Sequence, residues 1–234
     1  MLLPLLLLLQ SHPSVPAWKV LERAQVAWRA GAPRYELILE ERDGAADADP
    51  EHRIRIRMPG RREFVVVDSR GPGPYVPVRE ALRGADRDLL ARAPRDSSHV
   101  LQLRGSDGAV VVAVFGYAYA SDPYELTLIG FDSSGHPRLL FRQELALKNL
   151  VDLDGDGRPE LVGRPSIPQN MGKCAATYDP YAVYHLAAGK ARYDVRLSKR
   201  YNEAHYVWAG PEASEAIEVR GCPPGARRVV RRQE

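Results

Sequence analysis

The chain has 234 residues, 44% of them hydrophobic and 27% charged, with a formal net charge of +3 at pH 7. That composition gives enough apolar material for a real core and excludes a disordered, collagen-like or disulfide-dense chain. The 33 basic residues are five lysines (Lys19, Lys148, Lys173, Lys190, Lys199) and 28 arginines, without the clustering or aromatic interleaving of a nucleic-acid surface, so no nucleic-acid partner is expected.

Residues 1–9 are almost all leucine, broken at Pro4. An apolar run of about eight residues is far shorter than the roughly 20 needed to cross a bilayer. Val15-Pro16-Ala17, just before Trp18, supplies a small-residue cleavage end. Residues 1–17 therefore read as a secretory signal peptide, although no Lys or Arg precedes the leucines, and a periplasmic or secreted bacterial location is expected. No later segment is apolar enough to span, so no membrane span is expected.

Residues 18–94 read as an α+β segment packed on the rest, and 95–234 as a β-rich segment. Between 18 and 30, Val20, Leu21, Ala24, Ala27 and Trp28 recur at roughly helical intervals before Gly31 and Pro33, which predicts a short amphipathic helix. Residues 35–41 follow as a strand, and the acidic 43–51 as a solvated loop. Arg53-Ile54-Arg55-Ile56-Arg57-Met58 alternates strictly, so 52–58 and 63–68 make a hairpin around Pro59-Gly60-Arg61-Arg62. Gly71-Pro72-Gly73-Pro74 lacks the third glycine of a dinucleotide fingerprint and predicts no regular structure. Residues 78–93 carry Val78, Ala81, Leu82, Leu89 and Leu90 among charges, which predicts a helix ended by Pro94.

Two hairpins come next: 99–104 with 109–118 around Gly105-Ser106-Asp107-Gly108, and 124–131 with 138–142 around Asp132-Ser133-Ser134-Gly135. Residues 145–151 form a strand entering an acidic loop, and Leu161-Val162 begin the strand leaving it. Further strands are expected at 181–186, 191–197 and 216–220, with a short helix within 197–208. The expected fold class is mainly β: antiparallel, hairpin-rich, with a blade-like sheet as one form it can take, and two or three short helices. The only cysteines, Cys174 and Cys222, suggest one disulfide in an exported chain. Such a bridge would close a loop of about 48 residues, worth roughly 4 kcal/mol.

The chemistry is concentrated in the loop Asp152-Leu153-Asp154-Gly155-Asp156-Gly157-Arg158-Pro159-Glu160-Leu161. Glycines curl the chain so that Asp152, Asp154, Asp156 and Glu160 point at one small volume. Like charges 4 Å apart repel by about 4 kcal/mol per pair in a surface-like dielectric, so a cation is called for. An all-oxygen set suits Ca²⁺ best. An EF-hand is excluded by the count, because its bidentate twelfth position falls on Gly163 and its flanks here are strands.

This D-x-D-G-D-G-x-x-E-L pattern between apolar strands resembles the calcium loop of the FG-GAP/VCBS repeat families, whose repeats form blades of extracellular β-propellers. The resemblance implies that Asp152, Asp154 and Asp156 give side-chain oxygens, Arg158 its backbone carbonyl, and Glu160 the last carboxylate. Glu160 stands where aspartate is commoner. One copy of the loop is present, so a single blade-like sheet is expected.

Tyr178, Tyr181, Tyr184, Tyr193, Tyr201, Tyr206 and Trp208 crowd a segment in a chain with eleven tyrosines. Those left exposed would offer a face for a glycan or protein ligand. His185, His205, Asp179 and Glu203 lie in the same segment, but they form no zincin or serine-hydrolase pattern, and Ser166, Ser198 and Ser214 lack a nucleophile's context. The expectation is a calcium-stabilised binding or structural module without catalysis. The alternative is an extracytoplasmic hydrolase with a cleft around 178–208.

Overall fold

The computed structural model describes residues 17–29, 31–44, 50–61, 63–68, 74–104, 108–118, 121–169, 175–187, 190–206, 208–219 and 230–231. The expected signal peptide through residue 16 and both cysteines, Cys174 and Cys222, lie outside them. Within them the protein is mainly β, with antiparallel sheets and three short helices.

Strands β1 (Lys19–Ala27), β2 (Arg34–Arg42), β3 (Glu51–Arg57) and β4 (Phe64–Asp68) form a meander in chain order. The next elements are β5 (Tyr75–Val76), α1 (Val78–Ala81), α2 (Arg87–Arg92), β6 (Val100–Arg104) and β7 (Val110–Ala118). β5 and β6 pair along the same edge of β7. The other edge of β7 pairs with β8 (Ser121–Phe131), which pairs in turn with β9 (Pro137–Glu144). A third sheet starts with β10 (Ala146–Val151) and β11 (Glu160–Arg164). After β12 (Ala175–Tyr178) the chain returns to it with β13 (Ala182–Ala187) and β14 (Lys190–Tyr193). Helix α3 (Val195–His205) follows, and β15 (Ser214–Val219) joins β12 and β16 (Val230–Arg231) in a small fourth sheet.

The middle sheet has no solvent face along its centre. In β7, Val110, Val112 and Val114 enter one core with Val26, Leu37, Leu39, Ile54 and Ile56 of the first sheet. The alternate residues Val111, Ala113 and Phe115 enter a second core with Leu82 and Leu89 of the helical region and with Leu147, Leu150 and Leu161 of the third sheet. A strand buried on both faces reads as an unbroken apolar run, as Val110-Val111-Val112-Ala113-Val114-Phe115 does. A third, smaller core joins Val162 and Val183 to Leu197 and Tyr201 of α3.

Two expectations for the first half of the chain are corrected. The helix expected over 18–30 is strand β1, whose Ala24 and Val26 pair with Leu37 and Tyr35 of β2. Leu21 sits at a bulge between Val20 and Glu22, which breaks the alternation and makes the apolar spacing look helical. Tertiary pairing then overrides that weak local pattern. The single helix expected over 78–93 is divided into α1 and α2. Between them the backbone N–H of Asp86 turns outward to Lys148 O (2.9 Å), and its carboxylate takes Lys148 Nζ (2.8 Å) and Asn149 Nδ2 (2.9 Å).

The outer face of the first sheet is a charged layer over buried Ile38. Glu40, 2% exposed, accepts from Arg55 Nε and Nη2 (2.7 and 2.5 Å) and from Arg53 Nε (2.7 Å). Trp18 lies 4.0 Å from the Arg53 guanidinium. Burial alone would raise the Glu40 carboxyl, but Arg55 and Arg53 hold it below its usual value. Replacing Glu40 with alanine would leave two guanidiniums without their shared anion. We expect a loss of about 3 kcal/mol in urea unfolding, the lower end of the range for breaking a buried pair.

His52, 4% exposed, packs edge-on against Tyr75 with Nδ1 buried and unpartnered among the described residues. Burial lowers it from its ordinary value of 6.5, over the opposing pull of Glu41. The unfolded chain therefore takes up a proton here before the folded one does. The stability is full above pH 6.5 and declines as pH falls from there toward the depressed folded value. In His52→Gln this part of the pH slope should vanish when unfolding is measured from pH 7.5 to 5.

Candidate metal centre

The loop joins two antiparallel neighbours, β10 and β11, whose last pair is Val151 with Glu160. Gly155 and Gly157 carry φ of +83° and +84°, a backbone region other residues enter only with strain. They let each aspartate bend back onto the main chain. Asp152 accepts from Gly155 N (2.6 Å) and Gly157 N (2.9 Å), Asp154 from Asp156 N (3.1 Å), and Asp156 from Arg158 N (2.8 Å). These bonds leave the three exposed carboxylates converging, each offering an oxygen within 4.8 Å of the others.

Asp152, Asp154 and Asp156 are thus brought together as the sequence suggested. Arg158 lies in the same loop, bonded through its N–H to Asp156, and is among the residues that line two cavities. Glu160 belongs to a second group with Asp154 and His185, again within 4.8 Å. It is only 1% exposed, and its Oε2 accepts from Leu153 N at 2.7 Å, which closes the loop upon itself.

Register places His185 of β13 directly opposite Glu160 of β11. Its Nδ1 stands 3.2 Å from Glu160 Oε1 and its Nε2 2.9 Å from Asp194 Oδ2. Asp194 in turn caps α3 by accepting from Leu197 N at 2.8 Å. The segment 191–197, expected as one strand, therefore ends its extended part at Tyr193 and starts a helix at a capping aspartate.

Burial raises the Glu160 carboxyl and Asp154 adds to this, over the opposing pulls of Leu153 N–H and His185. Burial lowers His185, but Asp194 and Glu160 outweigh it and raise the ring above its ordinary value. The Leu197 N–H, with His185, lowers Asp194. These groups, with Asp156, Arg158, Arg192 and Tyr193, line a cavity of about 340 Å³. Neither His185 nor Asp194 was singled out with the loop. An aspartate three residues before Leu197 is a local N-cap pattern that could have found Asp194, whereas His185 enters only through strand register.

Helix α3 is held to this region by buried polar side chains. Ser198 Oγ accepts from Val183 N (2.9 Å), and Asn202 accepts from Tyr181 N (3.0 Å) and donates to Tyr181 O (2.8 Å). Arg200 donates to Leu153 O in the loop.

The other candidates do not converge on a nucleophilic site. Asp179 is buried and accepts from Ser166 Oγ and Thr177 Oγ1, while Glu203 is exposed beside Lys199. His205 stacks on Tyr201. Most of the tyrosines pack inward: Tyr178, Tyr181 and Tyr201 are buried, Tyr184 and Tyr206 half-buried, and Tyr193 exposed. Ser214 carries no described side chain. Among the described residues no helix is long and apolar enough to cross a membrane.

Replacing Asp194 with alanine removes the cap of α3 and one partner of His185. It should lower the urea-unfolding free energy by about 1–2 kcal/mol. No family model matches this chain, and neither the curated proteins nor the solved structures give a match.

Proposed function

We propose that the protein is an exported, calcium-stabilised β-rich binding or structural module, with Ca²⁺ held in the loop 152–160. The observation that carries the reading is the convergence of Asp152, Asp154 and Asp156, each oxygen within 4.8 Å of the others, on a loop whose own N–H groups fix their directions. Exposed carboxylates on a preformed turn fit a hard cation that takes six to eight oxygens. Asp152, Asp154 and Asp156 would hold the ion. The Arg158 carbonyl and, through its neighbour Asp154, Glu160 would complete the set implied by the FG-GAP/VCBS-like pattern. The bound ion would offset the mutual repulsion of the carboxylates and fix the β10–β11 connection.

The surrounding four-stranded antiparallel sheet supports a blade-like reading of this part of the fold. A periplasmic or secreted location agrees with a calcium level that keeps such a site filled, and the binding partner would be a glycan or a protein.

A second reading, an extracytoplasmic hydrolase, is favoured by one observation. Glu160, His185 and Asp194 form a hydrogen-bonded chain of titratable groups in a cavity wall. General acid–base chemistry uses such chains. Among the described residues no Ser, Thr or Cys lines that cavity, so the chain would have to act on water. The module reading is preferred because the same three groups already close the loop and cap α3.

Melting in excess Ca²⁺ and in chelator tests the module reading. Ca²⁺ at 100 times its dissociation constant adds about 2.7 kcal/mol of stability. Chelator should lower the Tm, and Asp154→Ala should melt at one temperature in both buffers. Identical melts of the metal-free wild-type protein with and without Ca²⁺ would sink the reading. His185→Ala should keep the Ca²⁺ response.

A further inference from the structure

A second cavity, of about 290 Å³, lies away from the loop between the α1 region and the third sheet, on the side of β11 that carries Arg164. Its wall includes Arg83, Tyr124, Lys148, Arg164, Ile167 and Tyr181. The volume sits at the lower end of small-molecule sites, which run from about 300 to 1,000 Å³.

Arg164 is the unusual group. Its guanidinium lies over two rings, 4.0 Å from the Tyr181 centroid and 5.4 Å from that of Tyr206. Contact with the ring faces satisfies none of its five N–H donors. Its Nε is buried without a hydrogen-bond partner, and no carboxylate pairs with the side chain among the described residues. Most buried polar groups are satisfied, and leaving one unpaired costs free energy.

The neighbouring acids are already engaged. Glu80, in the cavity wall, accepts from the Tyr117 hydroxyl (3.3 Å) and the Tyr124 hydroxyl (3.2 Å). Asp86 takes Lys148 at 2.8 Å. What remains is a guanidinium without a carboxylate partner among the described residues, in a cavity wall that also includes Arg83, Ile167 and Pro168. A planar fork of this kind matches the two oxygens of a carboxylate or phosphate.

We infer that this cavity binds a small organic oxyanion, a carboxylate or phosphate monoester with a flat apolar body. Arg164 grips the anion, and Tyr124, Tyr181 and Ile167 hold the body. The inference does not rest on the calcium reading, since none of these residues belongs to the loop.

Calorimetric titration of the full chain with benzoate, phenyl phosphate and benzyl alcohol tests it. At least one of the two anions should bind, with benzyl alcohol at least about tenfold weaker, as expected when a charge-assisted hydrogen bond is absent. Tighter benzoate identifies a carboxylate ligand, and tighter phenyl phosphate a phosphate monoester. Arg164→Met should weaken the anion at least about tenfold, while Arg164→Lys retains part of the affinity. Ile167 is 40% exposed at the rim, so Ile167→Trp should block the cavity with an unchanged melt. It decides the matter if Arg164→Met fails to fold. The inference is overturned if neither anion binds, if benzyl alcohol binds equally well, or if a folded Ile167→Trp protein keeps full anion affinity.

Discussion

Two-sided burial of the middle sheet is the constraint on which the rest of the structure depends. Residues 110–115 send alternate side chains into two separate cores, so each face must be covered by another layer. The first sheet covers one face, and the helical region with the third sheet covers the other. Fully burying a Leu, Phe or Val side chain contributes about 1.5–3 kcal/mol each. Phe115, Leu126 and Leu128 on one side and Val112 and Ile129 on the other therefore hold all three layers together. The loop 152–160 leaves a sheet whose inner face is locked by Leu147, Leu150 and Leu161. Its strands cannot shift without disturbing that core, so its carboxylates project from a fixed base.

Electrostatics within the loop follow from that anchoring. Backbone N–H groups hold Asp152, Asp154 and Asp156 together against their repulsion, and their exposure lets water soften the cost. Glu160 behaves differently because it is buried. It ties the loop to Leu153 on one side and, through His185 and Asp194, to the start of α3 on the other. Arg200 of α3 reaches back to the loop at Leu153. Loop, sheet and helix thus share one polar network, so a change at the loop would be felt at the helix.

Buried polar groups in this protein fall into two kinds. Glu40, Asp179, Ser198 and Asn202 are buried with their hydrogen bonds made, and they join strands or dock α3. His52 Nδ1 and Arg164 Nε are buried without a partner among the described residues. The difference matters energetically, since a satisfied buried group is close to neutral while an orphan costs about 1–3 kcal/mol. His52 avoids part of that cost by staying neutral. Arg164 has ring faces rather than a carboxylate against its guanidinium and lines a cavity that a ligand can enter.

Alternation and turn chemistry made much of the β architecture legible. Arg53 to Met58 alternates because one face meets a core and the other a half-buried charged layer, and Gly135 or Gly155 marks a turn that needs positive φ. The three aspartates were legible for the same local reason, because glycines at 155 and 157 force neighbouring carboxylates to converge within a few residues. Local pattern failed at β1, where a bulge at Leu21 mimicked helical spacing and only pairing with β2 decided the outcome. It failed again at His185 and Arg164. Each acquires its meaning from residues brought to it by strand register or by a helix: Glu160 and Asp194 for the first, Tyr181 and Tyr206 for the second. The sequence by itself determined most of the hairpins, their turns and the acidic loop, because those depend on interactions a few residues apart. Only the tertiary structure decided which charges are shared, capped or left unpaired, because that depends on which distant side chains share a buried space where water cannot compensate them.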